Sequence, residues 1–153
     1  MGSLDAKLAA IRKFKNFPKV LNGIIRYNAA EIIDMNRTQM YDEGVVDVNN
    51  PGVVLNYAPS TIRQKKRRSK YKRTDHITLK DMGDFHKKMK LIINSDSFII
   101  TSTDDKWAHF SSGDWGGGRF QDALGLTEKN LSVLRGFIKS QLIIDFKDAL
   151  QNS

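Results

Sequence analysis

The sequence contains no cysteine, which excludes disulfides, zinc-thiolate sites and thiol catalysis and makes a reducing cytoplasm a natural place of synthesis. Proline is scarce, with three in 153 residues. No apolar run approaches the roughly 18 residues needed to span a bilayer, and the N-terminus lacks a basic-then-apolar signal pattern, so no membrane contact is expected. The Gly-x-Ser-x-Gly elbow, the His-Glu-x-x-His zinc motif and the P-loop are all missing. The expectation is a protein that is not an enzyme and needs no cofactor or metal.

Acidic residues are missing from one stretch in particular. Eight of the eleven positions from Arg63 to Arg73 are basic: Arg63, Lys65, Lys66, Arg67, Arg68, Lys70, Lys72 and Arg73. The chain has 25 Lys+Arg against 17 Asp+Glu, and setting those eight aside leaves 17 against 17. The net charge of +8 is therefore one local patch. Such a patch attracts polyanions by neutralising phosphates and releasing counterions, or it fits an acidic neighbour in an assembly. Tyr71 is the lone aromatic inside it, a poor platform for stacking single-stranded bases.

The length fits a single domain over residues 1–153. Leu4, Leu8, Ile11 and Phe14 recur at helical spacing and predict a short helix from Leu4 to Lys15, which Phe17-Pro18 interrupts. A second stripe through Leu21, Ile24, Ile25, Asn28, Ile32, Met35 and Met40 predicts one helix of about 25 residues ending at Gly44. Asn49-Asn50-Pro51-Gly52 marks a turn. Pro59 suits the first turn of the next helix, with Ser60 or Thr61 as its cap. Ile62 is its only aliphatic residue, so the basic segment 63–75 is expected to be mobile.

Thr78 is placed to cap a turn whose Leu79, Met82 and Phe85 face the core. Asp81, Asp84 and His86 have the chemistry of metal ligands, but on a helix His86 points away from the two carboxylates, and they read better as surface charges or a cap. Met89–Ile93 and Ser97–Thr101, around Asn94-Ser95-Asp96, predict a β-hairpin. Its apolar residues on both faces call for cover on both sides. Lys106–Phe110 is a further strand or one helical turn, with His109 a structural or surface histidine rather than a ligand. Residues 111–119 form a Gly-rich loop in which Trp115 and Arg119 are candidate subunit contacts. Thr127 is placed to cap a last helix whose Leu131, Leu134, Ile138, Leu142 and Phe146 are expected to cover the sheet. The fold class expected is α+β, a small, largely antiparallel sheet packed by a long N-terminal helix and a C-terminal helix.

Three short pieces follow one another in a characteristic order: Tyr57-Ala58-Pro59-Ser60-Thr61, then Leu79-Lys80-Asp81-Met82-Gly83-Asp84-Phe85, then Gly125-Leu126-Thr127. With the basic run between the first two, this order resembles the virion-morphogenesis proteins of Bacteroides-type phages and prophages, the tail-completion and head-to-tail joining family. The chain departs from that pattern where Met82 replaces a usual Thr and where no Arg-Pro precedes the last helix. The resemblance implies a structural component of the virion, assembled in the bacterial host cytoplasm. It further implies a ring of identical subunits that contacts other neck or tail proteins, with the basic run facing an acidic partner or DNA. The alternative from another class is a non-specific nucleic-acid-binding module that uses residues 63–73.

Overall fold

In the computed structural model, which describes residues 4–14 and 16–152, the N-terminal apolar stripes occupy three helices: α1 (Leu4–Phe14), α2 (Phe17–Tyr27) and α3 (Ala29–Tyr41). Lys15, the expected end of the first helix, lies outside the described residues, as does the side chain of Phe14. The single long helix expected from Phe17 onward is corrected to two. They meet at Asn28, whose side-chain amide donates to the Ile24 carbonyl at 2.8 Å while its backbone sits at φ −101°, ψ 16°. An Asn side chain competes locally with the helical ladder, and here the competition breaks the helix without ending the stripe. Ile24 and Ile25 before the break and Ile32 and Ile33 after it are all buried.

The remaining helices among the described residues are α4 (Pro59–Arg68), α5 (Asp84–Lys87), α6 (Asp105–Ser112) and α7 (Glu128–Gln151), with a 3-10 turn at Gly116–Gly118. Lys106–Phe110 is thus helical, and Asp104 starts α6 by accepting the Lys106 N–H at 3.1 Å. Thr127 caps α7 as expected, its hydroxyl accepting the Asn130 N–H.

The sheet is one antiparallel hairpin, β1 (Met89–Ile93) and β2 (Phe98–Ser102), in register from Met89 opposite Ser102 to Ile93 opposite Phe98. Alternation sends Met89 and Ile100 into the core and leaves the directly opposed Ile92 and Ile99 exposed on the other face. The covering helices differ from expectation. α2 and α3 lie on β1, whereas α7 packs principally on α1 and α2. The overall class is α+β.

The core runs from Ile32 and Met40 of α3 through Phe85 and Ile100 to Phe110, Phe120 and Leu134. Phe110 sits edge-on to both Phe85 and Phe120, at 5.6 and 5.4 Å between ring centroids. Two fully buried amides of α3 hold the chain that leads into α7. Asn36 donates to the Ala123 carbonyl at 3.1 Å and accepts the Gly125 N–H at 3.0 Å. Gln39 donates to the Gly125 carbonyl at 3.0 Å and accepts from the Thr127 N–H at 3.0 Å and the Asn130 side chain at 2.5 Å. Gly125, at φ +144°, lets both of its backbone polar groups meet these amides. Gly125, Leu126 and Thr127 therefore anchor the entry of the last helix, and Leu126 itself is buried.

Candidate polyanion and partner-contact face

Pro59 occupies the first turn of α4, as its fixed φ and missing N–H favour. The cap differs from expectation: Ala58 takes that position in extended conformation, no side chain caps it, and Ser60 and Thr61 are exposed. Ile62 and Lys65, one turn apart, face the body of the protein. Lys65 is buried, and its ammonium donates to the carbonyls of Tyr71 at 2.6 Å and Lys80 at 2.5 Å while lying 5.6 Å from the Tyr57 ring centroid. Burial pushes its pKa below the ordinary lysine value, and the Asp81 carboxylate opposes that shift.

Arg73 is also turned inward, donating to the Tyr41 carbonyl at 2.7 Å and pairing with Asp42 at 3.2 Å and Asp75 at 3.5 Å. Lys72 reaches back to the Lys66 carbonyl at 2.6 Å. The expectation of a mobile segment over 63–75 rested on scarce apolar burial, and the structure adds polar anchors at Lys65, Ser69 and Arg73. Arg63, Lys66, Arg67, Arg68 and Lys70 remain exposed, with no carboxylate partner among the described residues. Arg63, Lys66 and Arg67, at i, i+3 and i+4, share the outward side of α4.

The motif residues downstream of the run knot themselves to it. The Tyr57 hydroxyl accepts the Thr78 N–H at 3.0 Å and pairs with the Thr78 hydroxyl at 3.1 Å. Thr78 does not cap a helix, a correction to the sequence reading. Its hydroxyl accepts the Lys80 N–H at 3.2 Å, Leu79 bends the chain at φ +51°, and α5 begins only after Gly83. As a result Leu79 and Phe85 pack on the core while Met82 is turned out to solvent. Asp81 accepts from the Ser69 hydroxyl, and its backbone carbonyl accepts the Tyr71 N–H at 3.1 Å. Gly83 is required twice over: its φ is +96°, and an added Cβ would stand 2.8 Å from the Tyr71 ring.

Asp81, Asp84 and His86 do not converge, and no group of three metal-ligating side chains occurs among the described residues. His86 is buried, its Nε2 donating to the Thr78 carbonyl at 3.0 Å. Burial lowers its pKa to about 4; the Thr78 bond opposes the shift, and the nearby charges of Lys80, Arg37 and Lys65 add to it. Its Nδ1 is the one buried side-chain polar atom without a hydrogen-bond partner among the described residues.

Ser111 and Ser112 finish α6, and the Gly-rich segment continues through the 3-10 turn at Gly116–Gly118. Trp115, partly exposed, stacks on His109 at 4.3 Å and meets the edge of Phe110 at 5.8 Å. His109 is thus a packing partner that also lies 3.7 Å from Asp114. Exposed Arg119 donates to the Gly116 carbonyl at 2.7 Å.

Folding also gathers cations that the sequence reading did not single out. Arg37 of α3, Lys80 and Lys87 join Lys70, Tyr71 and His86 around a cavity of about 350 Å³. Arg37 lies far from the others in sequence, and spacing along the chain offers no signal to connect them. Apolar side chains are exposed elsewhere. Leu4, Leu8 and Ile11 on α1 and Val133, Phe137 and Ile144 on α7 face solvent, and α1 and α7 pack together. A cleft of about 590 Å³ between α2 and α7 is lined by Phe17, Leu21, Ile138 and Leu142. None of the described helices is long and apolar enough to cross a membrane. No protein-family model, no curated protein and no solved structure matches this chain.

Proposed function

We propose that this chain is a structural virion component that acts in phage head-to-tail joining or tail completion, as one subunit of a ring of identical copies. The observation that carries this reading is the apolar surface left open on α1 and α7, which a second copy of the chain would cover. Val133, Phe137 and Ile144, at i, i+4 and i+11, share one side of α7 and span about 16 Å of its length. The ordered motifs add support. Tyr57, Leu79, Asp81, Gly83 and Phe85 hold the basic helix against the core, and Gly125, Leu126 and Thr127 hold the start of α7. In the assembled neck the basic side of α4 faces an acidic neck or tail protein or the DNA in the channel, and Trp115 and Arg119 supply a further contact.

Phe137→Asp and Ile144→Asp test the ring contact by placing a charge in it. Each is expected to weaken self-association roughly 30-fold or more, read by sedimentation, while the circular dichroism spectrum is unchanged. Self-association undiminished in both variants would count against α7 as the contact.

A second reading, a non-specific nucleic-acid module, is favoured by the three cations aligned on the outward side of α4. It expects Arg67→Gln with Arg68→Gln to weaken duplex binding for every sequence alike and to flatten its salt dependence. An unchanged salt slope would remove this reading.

A further inference from the structure

We propose that the cavity framed by α3, Lys70–Tyr71 and Lys80–Lys87 binds a phosphate group. Four cations line it, from three separate parts of the chain: Arg37, Lys70, Lys80 and Lys87. Of these, Arg37 alone is paired with a carboxylate among the described residues, Asp34 at 2.7 Å, and its Nε is occupied by the His86 carbonyl at 2.8 Å. Asp84 is the one carboxylate in the lining. Three ammonium groups facing a single carboxylate repel one another, and a bound anion relieves that repulsion.

Two further features make this more than a loose patch of charge. The Lys80 ammonium stands 4.0 Å from the Tyr71 ring centroid and 4.8 Å from that of Tyr41, and these cation-π contacts hold it in place while leaving its protons free of a carboxylate. His86 belongs to the same lining, and its buried Nδ1 is the orphaned atom. With Nε2 bonded to a carbonyl, the neutral ring keeps its proton there and Nδ1 is a bare acceptor. The Lys80, Arg37 and Lys65 charges oppose protonation of this ring, and an anion bound among the cations offsets them, so the ring reports binding. Donors from several chain segments suit the tetrahedral oxygens of a phosphate better than the two coplanar oxygens of a carboxylate. The phosphate is either a free ion or part of a nucleic-acid backbone, since Lys70 continues into the exposed cations of α4. This inference stands whether or not the chain forms rings.

The test is titration of the full chain with inorganic phosphate, and separately with a short DNA duplex, followed by NMR of the His86 ring. A saturable His86 shift is expected, with its pKa rising from about 4 toward the ordinary histidine value. Lys70→Gln and Lys87→Gln, both at exposed positions, are each expected to weaken phosphate binding roughly tenfold while leaving the melting temperature unchanged. A shift with phosphate alone identifies the free ion as the source; the same shift with duplex identifies the backbone. No saturable shift with either probe, or unchanged affinity in both lysine variants, overturns the proposal.

Discussion

At the residue scale, His86 ties stability to pH. Its folded-state pKa of about 4 lies below the ordinary 6.5, so between those values the unfolded chain holds a proton that the folded chain does not. The stabilisation is complete above pH 6.5 and is lost progressively as pH falls toward 4. The gap of about 2.5 units corresponds to about 3 kcal/mol. Urea melts of wild type and His86→Gln are therefore expected to converge by about that amount between pH 6.5 and pH 4, and parallel pH profiles would contradict the assignment. Gly83→Ala should cost roughly 1–3 kcal/mol, because it places a side chain at φ +96° and against Tyr71, and a shift in the urea midpoint reads it directly. Some of this was legible in the sequence. Phe85 and Thr127 take the core and cap positions that their spacing assigned, whereas Lys65, expected among the polyanion or partner contacts, is buried. Its burial depends on two carbonyls, Tyr71 and Lys80, that only the folded chain brings to it.

At the element scale, the break at Asn28 shows how periodicity misleads. The apolar stripe passes through the break without losing phase, so spacing alone reports one helix. The cause is a side-chain bond to the Ile24 carbonyl, which a hydrophobic pattern does not register. Thr78 is a similar case: it has the chemistry of a cap, but Tyr57, distant in sequence, claims it. The helix start at Thr127 was legible because cap and stripe agree, yet the surface that α7 covers was not, since that choice is tertiary. Asn36 and Gln39 lie within the apolar stripe of α3 and are the polar residues whose role the pattern hid. Gln39→Ala leaves the Thr127 N–H and the Gly125 carbonyl without their partner and is expected to cost about 2–4 kcal/mol. Hydrogen exchange should quicken at residues 123–130 more than in the hairpin. Equal change in both regions would mean that these amides do not act as a local anchor.

At the scale of the whole molecule, the chain presents two kinds of surface with different consequences. The basic patch seen in the sequence survives folding in reduced form, with Arg63, Lys66, Arg67, Arg68 and Lys70 outward and Lys65 and Arg73 turned inward. Attraction through such a surface weakens with salt. The apolar residues of α1 and α7 were legible as helix stripes, but which of them stay exposed depends on how α7 settles on α1 and α2. Association through an apolar surface of this kind would persist in salt, because it would draw on removal of apolar area from water. The two surfaces thus separate in one experiment: the mass of the wild-type chain by light scattering, at low and high salt, with and without duplex DNA. The assembly account predicts an oligomer whose mass holds at high salt and does not require DNA. A monomer under all conditions without DNA, gaining mass only when duplex is added at low salt, would contradict it.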